Sequence, residues 1–299
     1  MTAPLPSASL VVCTRNRPAF LLDTLRSLLT GEELPAEIVV IDQSDRPCPG
    51  LDGLAGDLPC DLRHVPVRSV GLGRARNAGV AAARHEILAF IDDDMWVGRR
   101  WWGALLRSLL VEGPCSVVTG QVRAAPPEVP GGIAPSTMLG DERVVYEGRL
   151  ARDVLAAGNM ALYRTAFADV GPFDERLGAG GRFPASEDND FSFRLLEAGY
   201  RIVYEPQAVL EHRAWRSKGD YVRLRWSYGR GNGAFYAKHL APGDWWMLRR
   251  LRAEIARQLR KVPGRLRRRE LRMLASDAAF ALGLVSGAAE WLLTERRTG

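Results

Sequence analysis

Three consecutive carboxylates, Asp92, Asp93 and Asp94, come directly after the apolar run Ile87-Leu88-Ala89-Phe90-Ile91. Adjacent carboxylates repel one another, so a triplet held at the end of a buried strand calls for a positive partner. Hard oxygen ligands of this type suit Mg²⁺ or Mn²⁺, which take one or two carboxylates together with substrate phosphates. A solvated acidic turn is the commoner fate of such a triplet taken alone. Its place after a strand favours the metal. Further along, Glu187-Asp188-Asn189-Asp190 opens a helical pattern, where carboxylates also interact favourably with the helix macrodipole.

Apolar periodicity gives the elements that must position these groups. Residues 10–13 read as a strand bounded by Thr14-Arg15-Asn16-Arg17-Pro18, and Phe20, Leu21, Leu25, Leu28 and Leu29 then recur at helical spacing. Residues 37–41 form a second strand ending at Asp42, residues 62–65 a third and residues 86–91 a fourth. Between the last two, the Gly/Arg-rich stretch 71–79 feeds an Ala-rich helix. This alternation predicts a parallel α/β sheet. Ligands of such sheets bind outside the carboxyl ends of the strands, and three of the four strands end there in polar clusters at 14–17, 42–45 and 92–94. Downstream, the pattern predicts a helix over 101–112, a strand over 116–122 and a mobile, lid-like loop over 124–140. Strands at 158–163, 201–204 and 209–212 follow, with a helix over 186–198 among them.

Taken in order, these motifs resemble the family 2 glycosyltransferases, inverting enzymes of the GT-A fold that use nucleotide-sugar donors. The resemblance covers about residues 8–213. It rests on Val11-Val12-Cys13-Thr14-Arg15-Asn16-Arg17-Pro18, Val39-Val40-Ile41-Asp42-Gln43-Ser44, Arg74-Ala75-Arg76-Asn77-Ala78-Gly79, Phe90-Ile91-Asp92-Asp93-Asp94, Gly158-Asn159, Glu187-Asp188-Asn189-Asp190 and His212. It implies a mostly parallel central sheet flanked by helices. It also implies that Thr14, Arg15 and Asn16 line the nucleotide pocket and that Asp42 accepts a hydrogen bond from the base, as a carboxylate can from a uracil-like N–H. Arg74 and Arg76 would neutralise the diphosphate or meet base edges, with Asn77 shaping the helix start. The family's DxD motif maps onto Asp92 and Asp94 with Asp93 between them, Asp94 touching the metal and Asp92 the ribose or metal. His212 completes the metal shell, which fits Mn²⁺ better than Mg²⁺. Asp188 is the implied general base, with Glu187 and Asp190 in support, and Gly158 and Asn159 lie near the acceptor. A sugar hydroxyl is a poor nucleophile and needs such a base.

The formal net charge of +6 conceals two opposite parts. Residues 1–212 carry 21 Lys/Arg against 28 Asp/Glu, whereas residues 213–272 carry 18 against 4. We therefore divide the chain into a GT-A domain, 1–212, and a basic, aromatic-rich helical arm, 213–299. In the arm, Leu251, Ile255, Leu259 and Val262 predict an amphipathic basic helix before Pro263, followed by an apolar helix over 273–293. Such an arm suits an anionic membrane surface or docking onto the acidic body, and nucleic acid ranks below both. The four cysteines lack metal-ligand spacing and read as thiols of a reducing compartment. The N-terminus does not read as a signal peptide, and no apolar run reaches the length of a membrane span.

The sequence thus predicts a cytoplasmic enzyme, peripheral on the inner face of the membrane, acting on a nucleotide-sugar donor and a saccharide or lipid-linked acceptor. One alternative is a nucleotidyltransferase of a related fold. That enzyme would carry a Gly-rich loop with a lysine near the N-terminus, and the first lysine here is Lys218. A non-catalytic nucleotide-sugar or membrane-binding module is the other.

Overall fold

The computed structural model describes residues 4–46, 48–57 and 59–295, so the first three residues of the N-terminal stretch lie outside it. Strands β1 (Ala8–Thr14), β2 (Glu37–Asp42), β3 (Asp61–Pro66) and β4 (Ile87–Asp92) lie parallel in the order β3-β2-β1-β4. The Val, Ile and Leu runs of β1, β2 and β4 are buried on both faces, as strands covered by helices on each side require, while β3 at the sheet edge is only partly buried. Beyond β4 the sheet is mixed: β8 (Asn159–Tyr163) runs antiparallel to β4 and to β6 (Ser116–Ala124), which pairs in parallel with β9 (Arg201–His212). The short strands β5 (Met95–Val97) and β7 (Val144–Tyr146) pair antiparallel with β9. The two predicted strands at 201–204 and 209–212 are one element, β9, whose pairing with β6 shifts register between Gly120 and Gln121.

One apolar layer packs α1 (Pro18–Leu28), α2 (Leu51–Asp57) and α4 (Trp101–Glu112) against one face of the sheet. A second places α3 (Leu72–Ala82), α5 (Thr165–Val170) and α6 (Glu187–Glu197) against the other. Register aligns the strand ends that matter, since Thr14 lies opposite Asp42 and Cys13 opposite Asp92. The three polar clusters therefore share one edge. Gly79 lets α3 lie against β1, for a Cβ there would come within 2.3 Å of Val11.

The arm forms three helices, α7 (Lys218–Lys238), α8 (Trp246–Arg267) and α9 (Leu271–Thr294). Two expectations are corrected here. Pro263 does not end α8, because it lies on the exposed side, where the carbonyl it deprives of a partner meets water. Moreover α9, 24 residues long, is long and apolar enough to cross a membrane by length and composition. One of its faces is nevertheless committed to α7: Gly229 meets Gly283, Gly233 meets the Leu284 backbone, and a Cβ on Gly287 would lie 2.0 Å from the Arg230 carbonyl oxygen.

The arm is docked on the body. Trp291 joins Leu177 and Phe183 in a shared apolar cluster, and Arg176 and Arg182 reach Glu295 and Glu290. Lys238 bonds Asp174 and Asp190 at 2.7 and 2.6 Å. We expect Gly287→Ala to lower stability in denaturant unfolding by roughly 1–3 kcal/mol through overpacking. Gly264→Ala, whose Cβ would meet only the flexible end of Arg268, should be neutral or stabilising.

Candidate functional site

Two adjoining cavities open at the shared strand edge, of about 370 and 320 Å³, with Asp92, His212 and Tyr228 lining both. The first is bordered by Thr14, Arg15, Arg17 and Gln43 and by the acidic triplet; the second by Glu187 and Asp188 at the start of α6 and by Gly158. A larger cleft of about 710 Å³ lies elsewhere, around Glu33, Arg107 and Glu112, and contains none of these groups.

The triplet divides between two arginines. Arg17 places one guanidinium nitrogen 2.7 Å from Asp93 Oδ1 and the other 2.7 Å from Asp94 Oδ2. Thr14 Oγ1 donates to Asp93 Oδ2 at 2.7 Å, and His212 Nε2 lies 3.3 Å from Asp94 Oδ1. Arg76 is almost fully buried and spans Asp92 at 3.0 Å and Glu187 at 2.9 Å, tying the end of β4 to the start of α6. Asp188 is next to that clamp. Its residue surface opens partly to the cavity, its Oδ1 accepts the Asn189 N–H at 2.8 Å, and its carboxyl sits deep among protein atoms.

These surroundings separate the carboxylates by charge state. Burial and the adjacent Glu187 charge push Asp188 up to about 8, against the opposing charge of Arg76. Burial also raises Asp93, to about 7, although its 2.7 Å contact with Arg17 marks it as an acceptor that is ionised while that guanidinium is in place. Asp94 is buried as well, yet the His212 hydrogen bond and Arg17 hold it well below the usual carboxylate range. His212 is raised in turn, Asp94 outweighing the effect of burial. Among the described residues no three His, Cys, Asp or Glu side chains converge as a metal cage. Asp92, Asp94 and His212 fit a divalent ion in donor type, and the triplet already grips a cation, the Arg17 guanidinium.

Several expected ligand contacts are placed differently. Asn159 is fully buried: its Oδ1 accepts from Trp101 Nε1 at 2.8 Å and its Nδ2 donates to the Gln121 and Ala208 carbonyls, so it holds strands together and does not reach an acceptor. The space that Gly158 leaves is taken by Asp92, whose Oδ2 would lie 2.3 Å from an added Cβ. Asn77 clasps the Phe173 backbone through both amide atoms, and Arg74 is exposed on Glu175. Arg76 is engaged by Asp92 and Glu187 and is not a base-edge contact. Asp42 accepts from the Ser44 N–H at 2.8 Å and lies 3.0 Å from His64 Nε2, while Gln43 borders the cavity and clasps the Gly71 peptide. Asn16 is exposed in a left-handed conformation and braces Ser44 and Asp45.

Sequence reasoning passed over Arg17, Ser186, Arg216, Tyr228 and Asn232. Arg17 stood in the first motif, but neither its type nor its spacing announced the contact with the triplet. Ser186 precedes Glu187 in a left-handed backbone (φ 74°), and its buried Oγ has no partner among the described residues. Such backbone is costly for a side-chain-bearing residue and clusters at binding sites. Arg216, Tyr228 and Asn232 come from the arm, which reaches into both cavities.

Residues 9–170 match the family model described as glycosyl transferase family 2. The chain is 30% identical over 241 residues to the succinoglycan biosynthesis protein ExoM of Rhizobium meliloti, a match covering 76% of this chain and 74% of that protein. It is 29% identical over 222 residues to the pre-mycofactocin glycosyltransferase of Mycobacterium tuberculosis, covering 72% of this chain but 45% of the relative, so it spans under half of that protein's length. Among solved structures it resembles the mannosyltransferase PcManGT from Pyrobaculum calidifontis in complex with GDP-Man and Mn²⁺, with a TM-score of 0.62 at 17% identity over 94% of this chain and 88% of that one. At that identity the likeness shows the fold alone, and the fold is GT-A.

Removing the Arg76 cation should be felt at once. We expect Arg76→Met to cost about 3 kcal/mol at pH 8, since it strands buried carboxylates. The loss should shrink at pH 5, where protonation relieves them, in denaturant titrations run at both values.

Proposed function

Because the chain belongs to glycosyl transferase family 2, we propose that it moves a sugar from a nucleotide donor to a saccharide or lipid-linked acceptor by one inverting displacement, with Asp188 as general base. The carrying observation is the pairing of a carboxyl raised to about 8 with an adjoining cavity edged by arginines. A base poised near working pH belongs beside the acceptor hydroxyl, and fixed cations belong beside a leaving diphosphate.

In this scheme the acceptor oxygen attacks the anomeric carbon as its proton passes to Asp188. The bond from that carbon to the diphosphate oxygen breaks, and its electron pair leaves with the nucleoside diphosphate. Glu187 stays on Arg76 and fixes the first turn of α6, so the base does not swing. Arg15 and Arg216 border the first cavity without an ion-pair partner among the described residues, which supports a role for both opposite the diphosphate. Mn²⁺ or Mg²⁺ held by Asp92, Asp94 and His212 would add positive charge to the same leaving group. Thr14 and Gln43 border the donor cavity, and Asp42 stands behind Gln43 on β2 as the proposed base contact. Asn232, which lines the second cavity, is proposed to meet acceptor hydroxyls. The enzyme is proposed to work in the cytoplasm, peripheral on an anionic membrane surface.

A thermal-shift screen of nucleotide sugars with Mn²⁺ should find a donor that raises the melting temperature by mass action. With that donor, Asp188→Asn should lower transfer at least 100-fold, within the range of about 10²–10⁴ for a lost acid–base group, and keep donor binding within a few-fold. Equal transfer by the variant would sink the assignment of the base. Because the base must be unprotonated, wild-type kcat/KM should climb as pH rises toward about 8 and level off above it.

A further inference from the structure

Helix α9 meets α7 with one face and turns another to solvent. The outward residues are Leu271, Ala275, Ala278, Leu282, Val285, Ala289 and Leu292, spaced alternately by four and three, which puts them in one line along the helix. Leu271, Leu282, Val285 and the neighbouring Leu293 are 61–67% exposed, so the line is uncovered over its full length. A continuous apolar stripe of this kind is rare on a free surface and marks a docking site.

The antecedent helix supplies the charge. Arg249, Arg252, Arg260 and Arg267 of α8 are exposed and have no ion-pair partner among the described residues. On α8, Arg252, Leu259 and Leu266 fall seven residues apart, so exposed leucines run along the rim of the cationic face. The carboxylates of this hairpin are already paired: Asp277 and Glu270 with Arg265, Glu254 with Arg257, and Glu290 with Arg182 and Arg230. A second copy would bring the same cations against themselves. An anionic lipid surface answers both the apolar line and the charge.

We propose that the α8–α9 hairpin is a monotopic membrane-docking surface: the outward line of α9 enters the lipid headgroup and acyl boundary, and the α8 arginines meet anionic headgroups. The glycine crossing with α7 keeps α9 lying along the body, because α9 cannot cross the bilayer without leaving that contact. Helix α7 carries the consequence to the site. Its Tyr228 and Asn232 line the cavity that holds Asp188, and its Trp226, Gly229 and Gly233 meet α9. The cavity and the membrane-facing hairpin are thus separated by about one helix diameter, roughly 10 Å. Resting on the transferase reading above, this geometry selects the lipid-linked acceptor, with its sugar in the cavity and its tail in the bilayer.

The test is flotation of the full chain with vesicles of phosphatidylglycerol and phosphatidylcholine, and with phosphatidylcholine alone. Binding is expected to the anionic vesicles, weakened at least tenfold in 0.5 M salt. Leu282→Glu/Val285→Glu, at two exposed positions, should lose binding at least tenfold and keep the wild-type melting temperature. Arg252→Glu/Arg260→Glu/Arg267→Glu should do the same, and Asp188→Asn should float like wild type, which separates this surface from the catalytic assignment. Failure to float, or flotation unchanged by the Leu282/Val285 variant, overturns the proposal. So does a dimer in solution that this variant dissociates, because the stripe then holds a second copy, or duplex DNA binding that the arginine variant abolishes while vesicles are ignored.

Discussion

The site depends on arginine placed inside an acidic cluster. Six carboxylates, Asp92, Asp93, Asp94, Glu187, Asp188 and Asp190, gather where β4 ends and α6 begins, largely out of water. Bringing so many like charges into a medium of lowered dielectric is prohibitive unless cations go in with them. Arg17 takes Asp93 and Asp94, Arg76 takes Asp92 and Glu187, and Asp190 is met by Arg194, Lys238 and His239. Asp188 is left as the carboxyl without its own cation. Burial therefore raises it, as burial also raises Asp93 against the charge of Arg17, while Asp94, held by both His212 and Arg17, falls. Assigning each cation sorts one acidic cluster into a raised carboxyl, the proposed base Asp188, and a set of carboxylates each paired with a cation.

The same accounting explains the charge division along the chain. Lys238 and His239 lie at the end of α7, and both reach Asp190, two residues beyond the proposed base Asp188. Docking of the arm is therefore electrostatically continuous with the site. Among the described residues the arm meets the body through Arg213 and Arg216, through α7, through the start of α8, where Arg250 pairs with Asp153 and Trp246 stacks on Phe193, and through the far end of α9, while Arg249, Arg252, Arg260 and Arg267 of α8 are left outward. The +14 of residues 213–272 is partly spent inside the molecule and partly displayed.

What the sequence showed and hid follows from burial. Strands β1, β2 and β4 were legible because each is apolar on both faces, and the acidic triplet because its position at a strand end is written in order along the chain. Helix α7 was not read as a helix, because it packs on the body with one side and on α9 with the other. A helix covered on two sides shows no single apolar stripe, and glycines at its crossing are composition that argues against a helix. Asn159 misled for the opposite reason. A polar residue in a motif looks like a ligand contact, but an asparagine amide can also satisfy three buried partners, and only the fold shows that Trp101, Gln121 and Ala208 surround it.

Helix α7 also links the two halves of the molecule. Its Tyr228 and Asn232 complete a cavity whose other walls come from residues up to His212, so the composition boundary at His212 does not coincide with a boundary of the site. Gly231 packs so closely on Ala185 that a Cβ would lie 2.5 Å from the Ala185 oxygen, and Ala185 leads directly into Ser186 and Glu187. The left-handed Ser186 is thus pressed from one side by α7 and tied on the other through Glu187 to Arg76. The turn that carries Asp188, the proposed base, is fixed between the sheet and the arm, and a change in how α7 sits would reach Asp188 through two residues of backbone.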